Sequence, residues 1–203
     1  MDYRQKIIEA AALMFRTYGI RAVTMDMFAN ELGISKRTIY EKFRDKDELL
    51  AGVLKWMAVK QKEAVVKVFG ESENVIAAIF RLFDMMCEHF QNMSPAFRLD
   101  MEKYYNNIVK NLIESGELPY SANNIDMLKR GIKEGIFRKD IDIDLTNQCL
   151  NEVLRMPGEK DIYRSENNSN RNIFRDFYVN YLRGISTQKG LELINYYNRK
   201  LTM

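Results

Sequence analysis

Lys36, Arg37, Thr38, Tyr40, Lys42 and Lys46 fall within eleven residues, in the stretch ELGISKRTIYEKFRDK. Arginine can pair with the O6 and N7 edges of guanine, and threonine can touch a thymine methyl or a phosphate. Tyrosine and lysine reach phosphate oxygens. Between positions 36 and 46 there are five basic residues and two acidic ones, a local excess of +3 that equals the net charge of the whole chain. The basic footprint is therefore local, as a nucleic-acid contact requires.

Catalytic chemistry has far less to work with. The single histidine, His89, and the isolated cysteines Cys87 and Cys149 form no metal-ligand spacing. No GxSxG, HExxH, P-loop or GxGxxG motif occurs. Asp142 and Asp144 make a close carboxylate pair, but a helix cap explains Asp144 better. The reading is a non-enzyme without metal or cofactor. No run approaches the roughly 18 apolar residues of a membrane span. The first residues, MDYRQKIIEAAALMF, interleave charge with apolar side chains, unlike a secretory leader. A cytoplasmic location is expected.

The elements that would position the basic stretch are helices. Glycine and proline number only ten and three in 203 residues, and apolar spacing of i, i+3, i+4 recurs throughout. An all-α fold is predicted. Ile7, Ile8, Ala11, Ala12, Phe15 and Tyr18 form one stripe, closed by Gly19. Thr24 is the expected N-cap of a helix to about Leu32, and Ser35 that of a helix to about Phe43. Ala29 offers a small residue for close helix crossing, and Gly33 a left-handed turn. Together these make a helix-turn-helix whose second helix enters the major groove amino-terminal residues first. Asp45 and Glu48 have capping-box spacing before a long helix that is expected to stop at Gly70. Further helices are expected after Ser94-Pro95, around Ile125–Ile136, from Asp144 to Pro157-Gly158, up to Gly184, and after Gly190. The polar segment 159–170 reads as a loop. The expected division is a DNA-binding module, 1–46, and a helical ligand-sensing and dimerisation body, 47–203.

The stretch YGIRAVTMDMFANELGISKRTIYEKFRDKDELL, residues 18–50, resembles the signature of the TetR family of transcriptional regulators. The matching features are a glycine before the second helix, a threonine opening it, A-x-x-L-G at the turn, S-K-x-T-I-Y-x-x-F on the recognition helix, and K-D-E-L-L after it. GIKEGIFRKDID (131–142) and YLRGISTQKG (181–190) are similar to later segments of some members. The resemblance implies an all-helical homodimer on a palindromic operator, most often a repressor. It also implies a small-molecule effector bound in the body. Thr24, Ser35, Lys36, Arg37, Thr38, Tyr40, Lys42 and Lys46 then stand at the DNA-facing positions. Arg37 occupies a position where many members carry a small residue, so its base preference is its own.

The body supplies two further expectations. Trp56, Phe80, Phe83, Met86, His89, Phe90, Tyr104 and Phe137 are candidates to line a pocket for an apolar or aromatic ligand, although plain core packing is the better account of any one of them. Leu150, Leu154, Phe174, Phe177, Tyr178 and Tyr181, on two late helices, are candidates for the homodimer interface; closing the body's own core is the alternative. Two rival readings share the DNA-binding head. One is a regulator controlled by a protein partner or by no ligand. The other is an architectural protein without sequence preference, which would bind every duplex alike.

Overall fold

The computed structural model describes residues 3–118, 124–159 and 170–200, with the side chains of 87, 90, 91, 153–159, 170–175 and 200 outside that description. The described residues form helices and turns, with one isolated β-bridge. Two compact units emerge. The first comprises Met1–Val66 and Glu88–Tyr120, and the second Lys67–Cys87 and Ser121–Met203.

The first unit holds α1 (Tyr3–Tyr18), α2 (Met25–Leu32), α3 (Lys36–Tyr40) and most of α4 (Lys46–Glu71), with α6 (Pro95–Lys103) and α7 (Asn106–Glu114). It therefore contains more than residues 1–46. Its core gathers Ile7, Phe15, Ile20, Phe28, Ile39, Phe43 and Leu49, all essentially removed from solvent. Burial of each such side chain contributes about 1.5–3 kcal/mol. Phe15 and Phe28 meet edge to face, with ring centroids 5.4 Å apart, and fix α2 against α1. Tyr18, expected on the α1 stripe, is exposed instead.

Gly19 is needed for two reasons. Its φ of +88° is left-handed, and a Cβ would stand 2.8 Å from the Cβ of Ala96 on α6. That approach is reinforced by two bonds. The Ser94 N–H donates to the Arg16 carbonyl at 2.9 Å, and the Arg21 N–H donates to the buried Asp100 carboxylate at 2.8 Å. Ser94 caps α6 by accepting from the Phe97 N–H at 3.1 Å, with Pro95 at the first turn as expected.

The second unit holds the end of α4, most of α5 (Val75–Gln91), α8 (Ile125–Lys133), α9 (Ile143–Glu159), α10 (Asn170–Ile185) and α11 (Gln188–Lys200). Several expected boundaries shift. Gly70 lies inside α4, which ends instead under Arg130. The Arg130 guanidinium donates to the Phe69 carbonyl and, at 2.8 Å, to the Ser72 carbonyl, and is held by Glu134 at 2.6 Å. Glu134 in turn accepts the Val75 N–H at 2.8 Å, so one ion pair satisfies the end of α4 and the start of α5. The α9 cap is Asp142, not Asp144: its Oδ1 accepts the Leu145 N–H at 3.0 Å. Gly184 and Gly190 lie within α10 and α11, and α9 runs past Pro157-Gly158 to Glu159. Thr187 caps α11, its Oγ1 accepting the Gly190 N–H at 3.3 Å. Glycine is required at 190 because a Cβ there would lie 2.3 Å from the Ile136 carbonyl oxygen. Of the expected polar loop, 160–169 lies outside the described residues.

Candidate nucleic-acid interface

The site is assembled by three short caps and one left-handed turn. Thr24 accepts the Met27 N–H at 3.3 Å and starts α2. Gly33, with φ +62°, ends it, and the Ile34 N–H returns to the Ala29 carbonyl at 3.0 Å. Ala29 is buried at this crossing. Ser35 then accepts the Thr38 N–H at 3.1 Å and shares a 2.8 Å hydroxyl contact with Thr38 Oγ1. The helix so started is short. α3 is five residues, Lys36–Tyr40, and not the longer run to Phe43; turns carry the chain onward, with the Phe43 N–H bonded to the Ile39 carbonyl at 2.9 Å. Ile39 and Phe43 are buried and lock α3 on the core, while Lys36, Arg37 and Tyr40 face solvent.

Asp45 caps α4, accepting the Glu48 N–H at 2.8 Å. Glu48 completes the box one residue further back than expected, accepting the Arg44 N–H at 2.7 Å. The Glu48 N–H and the Arg44 guanidinium together hold the Asp45 carboxyl below the usual carboxylate range. Lys46 opens α4, half-buried, and its Nζ donates to the Val23 carbonyl at 2.6 Å. Burial holds its pKa below the ordinary lysine value. Lys46 thus ties the start of α4 to the residue before the α2 cap, besides standing beside α3.

The eight expected positions, Thr24 to Lys46, are therefore brought together around α3. The sequence reading counts Glu41 and Asp45 as charges without pairing them, and leaves Asp26 out. Lys36 Nζ bonds Asp26 Oδ2 at 2.8 Å, Arg37 Nε bonds Glu41 Oε1 at 3.2 Å, and Arg44 Nε bonds Asp45 Oδ2 at 2.9 Å. The hydrogen bond to Asp26 raises the Lys36 pKa. Lys42 is exposed and has no partner among the described residues. The Arg37–Glu41 spacing of i, i+4 was legible as a helix pair. Asp26 lies ten residues from Lys36 and reads alone as a first-turn acid complementing the α2 dipole.

The body candidates divide between the two units. In the first unit Tyr104 is exposed, with the Arg21 guanidinium 4.4 Å over its ring, and His89 is at the surface. Desolvation, then the Arg16 charge, holds the His89 pKa down. Trp56 is half-buried, and its buried Nε1 has no hydrogen-bond partner among the described residues. In the second unit Phe80, Phe83 and Phe137 are core residues, with Met86 packed against them. The Phe137 ring covers Gly131 so closely that a Cβ there would sit 2.1 Å from its Cδ2. The cleft lined by Phe80, Phe83 and Tyr178 is closed to a molecule the size of water. The Phe90 side chain lies outside the described residues, as do Leu154 and Phe174.

Leu150 and Tyr178, expected to face a partner, are buried in the unit's own core, Tyr178 stacked on Phe83 at 6.1 Å. Tyr181 is half-buried, its hydroxyl donating to the Thr146 carbonyl at 3.3 Å. Among the described side chains, Phe177 and Leu145 are the large exposed apolar residues of these helices. Among the described residues no group of His, Cys, Asp and Glu could hold a metal ion, and no helix is long and apolar enough to cross a membrane.

Residues 7–53 match the family model described as bacterial regulatory proteins, tetR family. The chain is 28% identical over 154 residues to the HTH-type transcriptional repressor KstR2 of Mycobacterium tuberculosis, covering 74% of this chain and 76% of that protein. The solved structure of that organism's ketosteroid transcriptional regulator KstR2 overlays with a TM-score of 0.52 at 20% identity, covering 92% of this chain and 96% of the other. The fatty acid degradation regulator FadR of Bacillus halodurans overlays at 0.63 with 16% identity, covering 90% and 95%. The matched segment contains α2, α3 and the start of α4, the elements that build the interface described above. The reading head, residues 7–53, is thus similar to the DNA-binding part of the tetR family of bacterial regulatory proteins, and the chain as a whole is similar to transcriptional repressors such as KstR2.

Proposed function

We propose that the chain is a cytoplasmic repressor that binds a palindromic operator as a homodimer and is released by a small ligand held in its helical body. The observation that carries the reading is the presentation of Lys36, Arg37 and Tyr40 on an exposed, doubly capped α3 whose other face, Ile39, is fully buried. Such a helix projects its polar edge without moving, as base-edge readout requires. Lys42 and the amino-terminal turn of α4 supply phosphate contacts. Thr24 and Ser35 hold the two helix starts and face the same backbone.

One module reads too few base pairs to select a site in a genome. Two copies on one duplex face, about 34–36 Å apart, read enough. Exposed Leu145 and Phe177, on α9 and α10, support the dimer. The repressor role is supported by the name of KstR2. α4 supports the ligand response: one continuous helix starts at Lys46, tied to Val23, and ends under Arg130. A ligand that shifts it changes the separation of two recognition helices. A coupling of about 1–3 kcal/mol weakens operator binding roughly 5- to 150-fold.

The unpartnered Trp56 N–H favours an effector that joins an apolar frame to a hydrogen-bond acceptor. The names of KstR2 and FadR, a ketosteroid and a fatty acid regulator, agree with that chemistry.

The test is selection of genomic duplex fragments at physiological salt, followed by sequencing of the bound fraction. An inverted repeat with half-sites one or two helical turns apart is expected. Even recovery of all fragments would replace this reading with an architectural one. Trp56 is the only tryptophan, so its fluorescence reports effector binding directly.

A further inference from the structure

Four of the five cations of the reading head, all but Lys42, are already engaged. From Thr24 to Lys46 there are five cations and four carboxylates, so the excess of +3 over residues 36–46 shrinks to +1 once Asp26 and Glu31 are counted. Lys36, Arg37 and Arg44 are each engaged by a carboxylate, and Lys46 by a carbonyl. Two of the carboxylates belong to the reading surface itself. Glu41 follows α3 by one residue, with its side chain on Arg37; Asp26 lies in the first turn of α2, on Lys36. All four side chains are largely exposed, so a duplex docked on α3 meets the carboxylates together with the cations.

We propose that Glu41 and Asp26 are specificity-determining residues: they hold Arg37 and Lys36 in ion pairs and repel phosphate, so that binding is favourable only where base edges compensate. This rests on the reading of α3 as the recognition helix. A phosphate is present at every step of every duplex, so any phosphate-driven binding bears the repulsion equally and is weakened everywhere. A guanine is different. Its O6 and N7 take Arg37 bidentately, and the released Glu41 carboxylate can accept from a cytosine N4 amino group. An exposed i, i+4 pair is held by only about twofold, too little to block a correct base contact. The carboxylates therefore subtract from non-specific affinity more than from specific affinity.

The experiment uses the full chain and a random-sequence duplex pool at physiological salt. Wild type is compared with Glu41→Gln, Asp26→Asn and Glu31→Gln. Glu31→Gln makes the same charge change at an exposed residue of α2 that holds neither cation. The total fraction retained and the sequence enrichment of the retained fraction are both read, after circular dichroism has checked the fold.

Glu41→Gln and Asp26→Asn are expected to retain about 2- to 5-fold more of the pool and to enrich a flatter motif. Glu31→Gln is expected to raise retention without flattening it. If Glu41→Gln and Asp26→Asn keep the wild-type motif, like Glu31→Gln, the carboxylates are bulk charge and the proposal is overturned. If wild type itself enriches no sequence, the reading of α3 fails instead, and the proposal falls with it.

Discussion

The reading head and the carboxy-terminal body are held together over different distances along the chain. In the head, Thr24 caps through Met27, Ser35 through Thr38 and Asp45 through Glu48, each three residues away. In the body, besides the local caps at Asp142 and Thr187, ties cross 47 to 59 residues. Arg130 reaches the Ser72 carbonyl, Glu134 the Val75 N–H, and the Thr187 N–H the Ile136 carbonyl at 2.9 Å. The Phe137–Ser186 bridge and the Arg138 N–H to the Ile185 carbonyl, 2.9 Å, belong to the same knot. A head built from local signals presents the same surface whatever the body holds. A body built from distant ties has elements whose positions depend on one another, which suits a ligand-sensing part.

The comparison breaks most severely at the two cores. Phe137→Ala and Phe28→Ala each remove a fully buried ring and are expected to cost about 3–5 kcal/mol in urea unfolding. Next come two glycines with different reasons for being glycine. Gly131→Ala drives a Cβ into the Phe137 ring and is expected to cost about 1–3 kcal/mol by overpacking. Gly33→Ala meets no atom within 4 Å, so only its φ of +62° resists, at about 1–2 kcal/mol. Equal costs with no rearrangement of Phe137 would remove the distinction.

Arg130→Ala leaves the α4 carbonyls and Glu134 without their partner, and a loss of about 1–3 kcal/mol is expected. Asp45→Ala removes a cap worth about 1 kcal/mol. The native state holds Asp45 below its unfolded pKa, so its charge contributes fully above the ordinary aspartate value of about 3.9 and is lost as pH falls through the folded value. Acid titration of stability should therefore be shallower for Asp45→Asn than for wild type. The smallest effect on stability belongs to Lys42→Ala, which should leave the unfolding midpoint unchanged while reducing the salt dependence of DNA binding by about one unit of slope.

The same contrast explains what could be read without coordinates. Caps at Thr24, Ser35 and Ser94, and the turns at Gly19 and Gly33, act within a few residues, so residue type and spacing disclose them. Gly70 and Gly184 mark the ends of α4 and α10 to within one residue and Gly190 the start of α11 to within two, although a glycine can end a helix or make room inside one. Only the Ile136 carbonyl beside Gly190 distinguishes the two there. Asp144 was preferred over Asp142 because both types cap equally well, and the geometry of the Leu145 N–H decides. In the site, the cations and the nearby Glu41 and Asp45 were legible but Asp26 was not, since the Lys36–Asp26 pair exists only once α2 and α3 have crossed at Ala29. Tyr178 and Leu150 read as interface residues for the same reason: an apolar side chain on an amphipathic helix does not say which neighbour covers it.

The central claim is that α3 reads base sequence, with Arg37 as its most exposed cation. The direct test is binding of wild type and Arg37→Ala to the selected duplex and to each of its single base-pair variants. The account predicts that Arg37→Ala loses discrimination of about 1–3 kcal/mol at one base pair per half-site and keeps it elsewhere. An unchanged base profile, with or without a uniform loss of affinity, would contradict it and reduce Arg37 to a backbone contact.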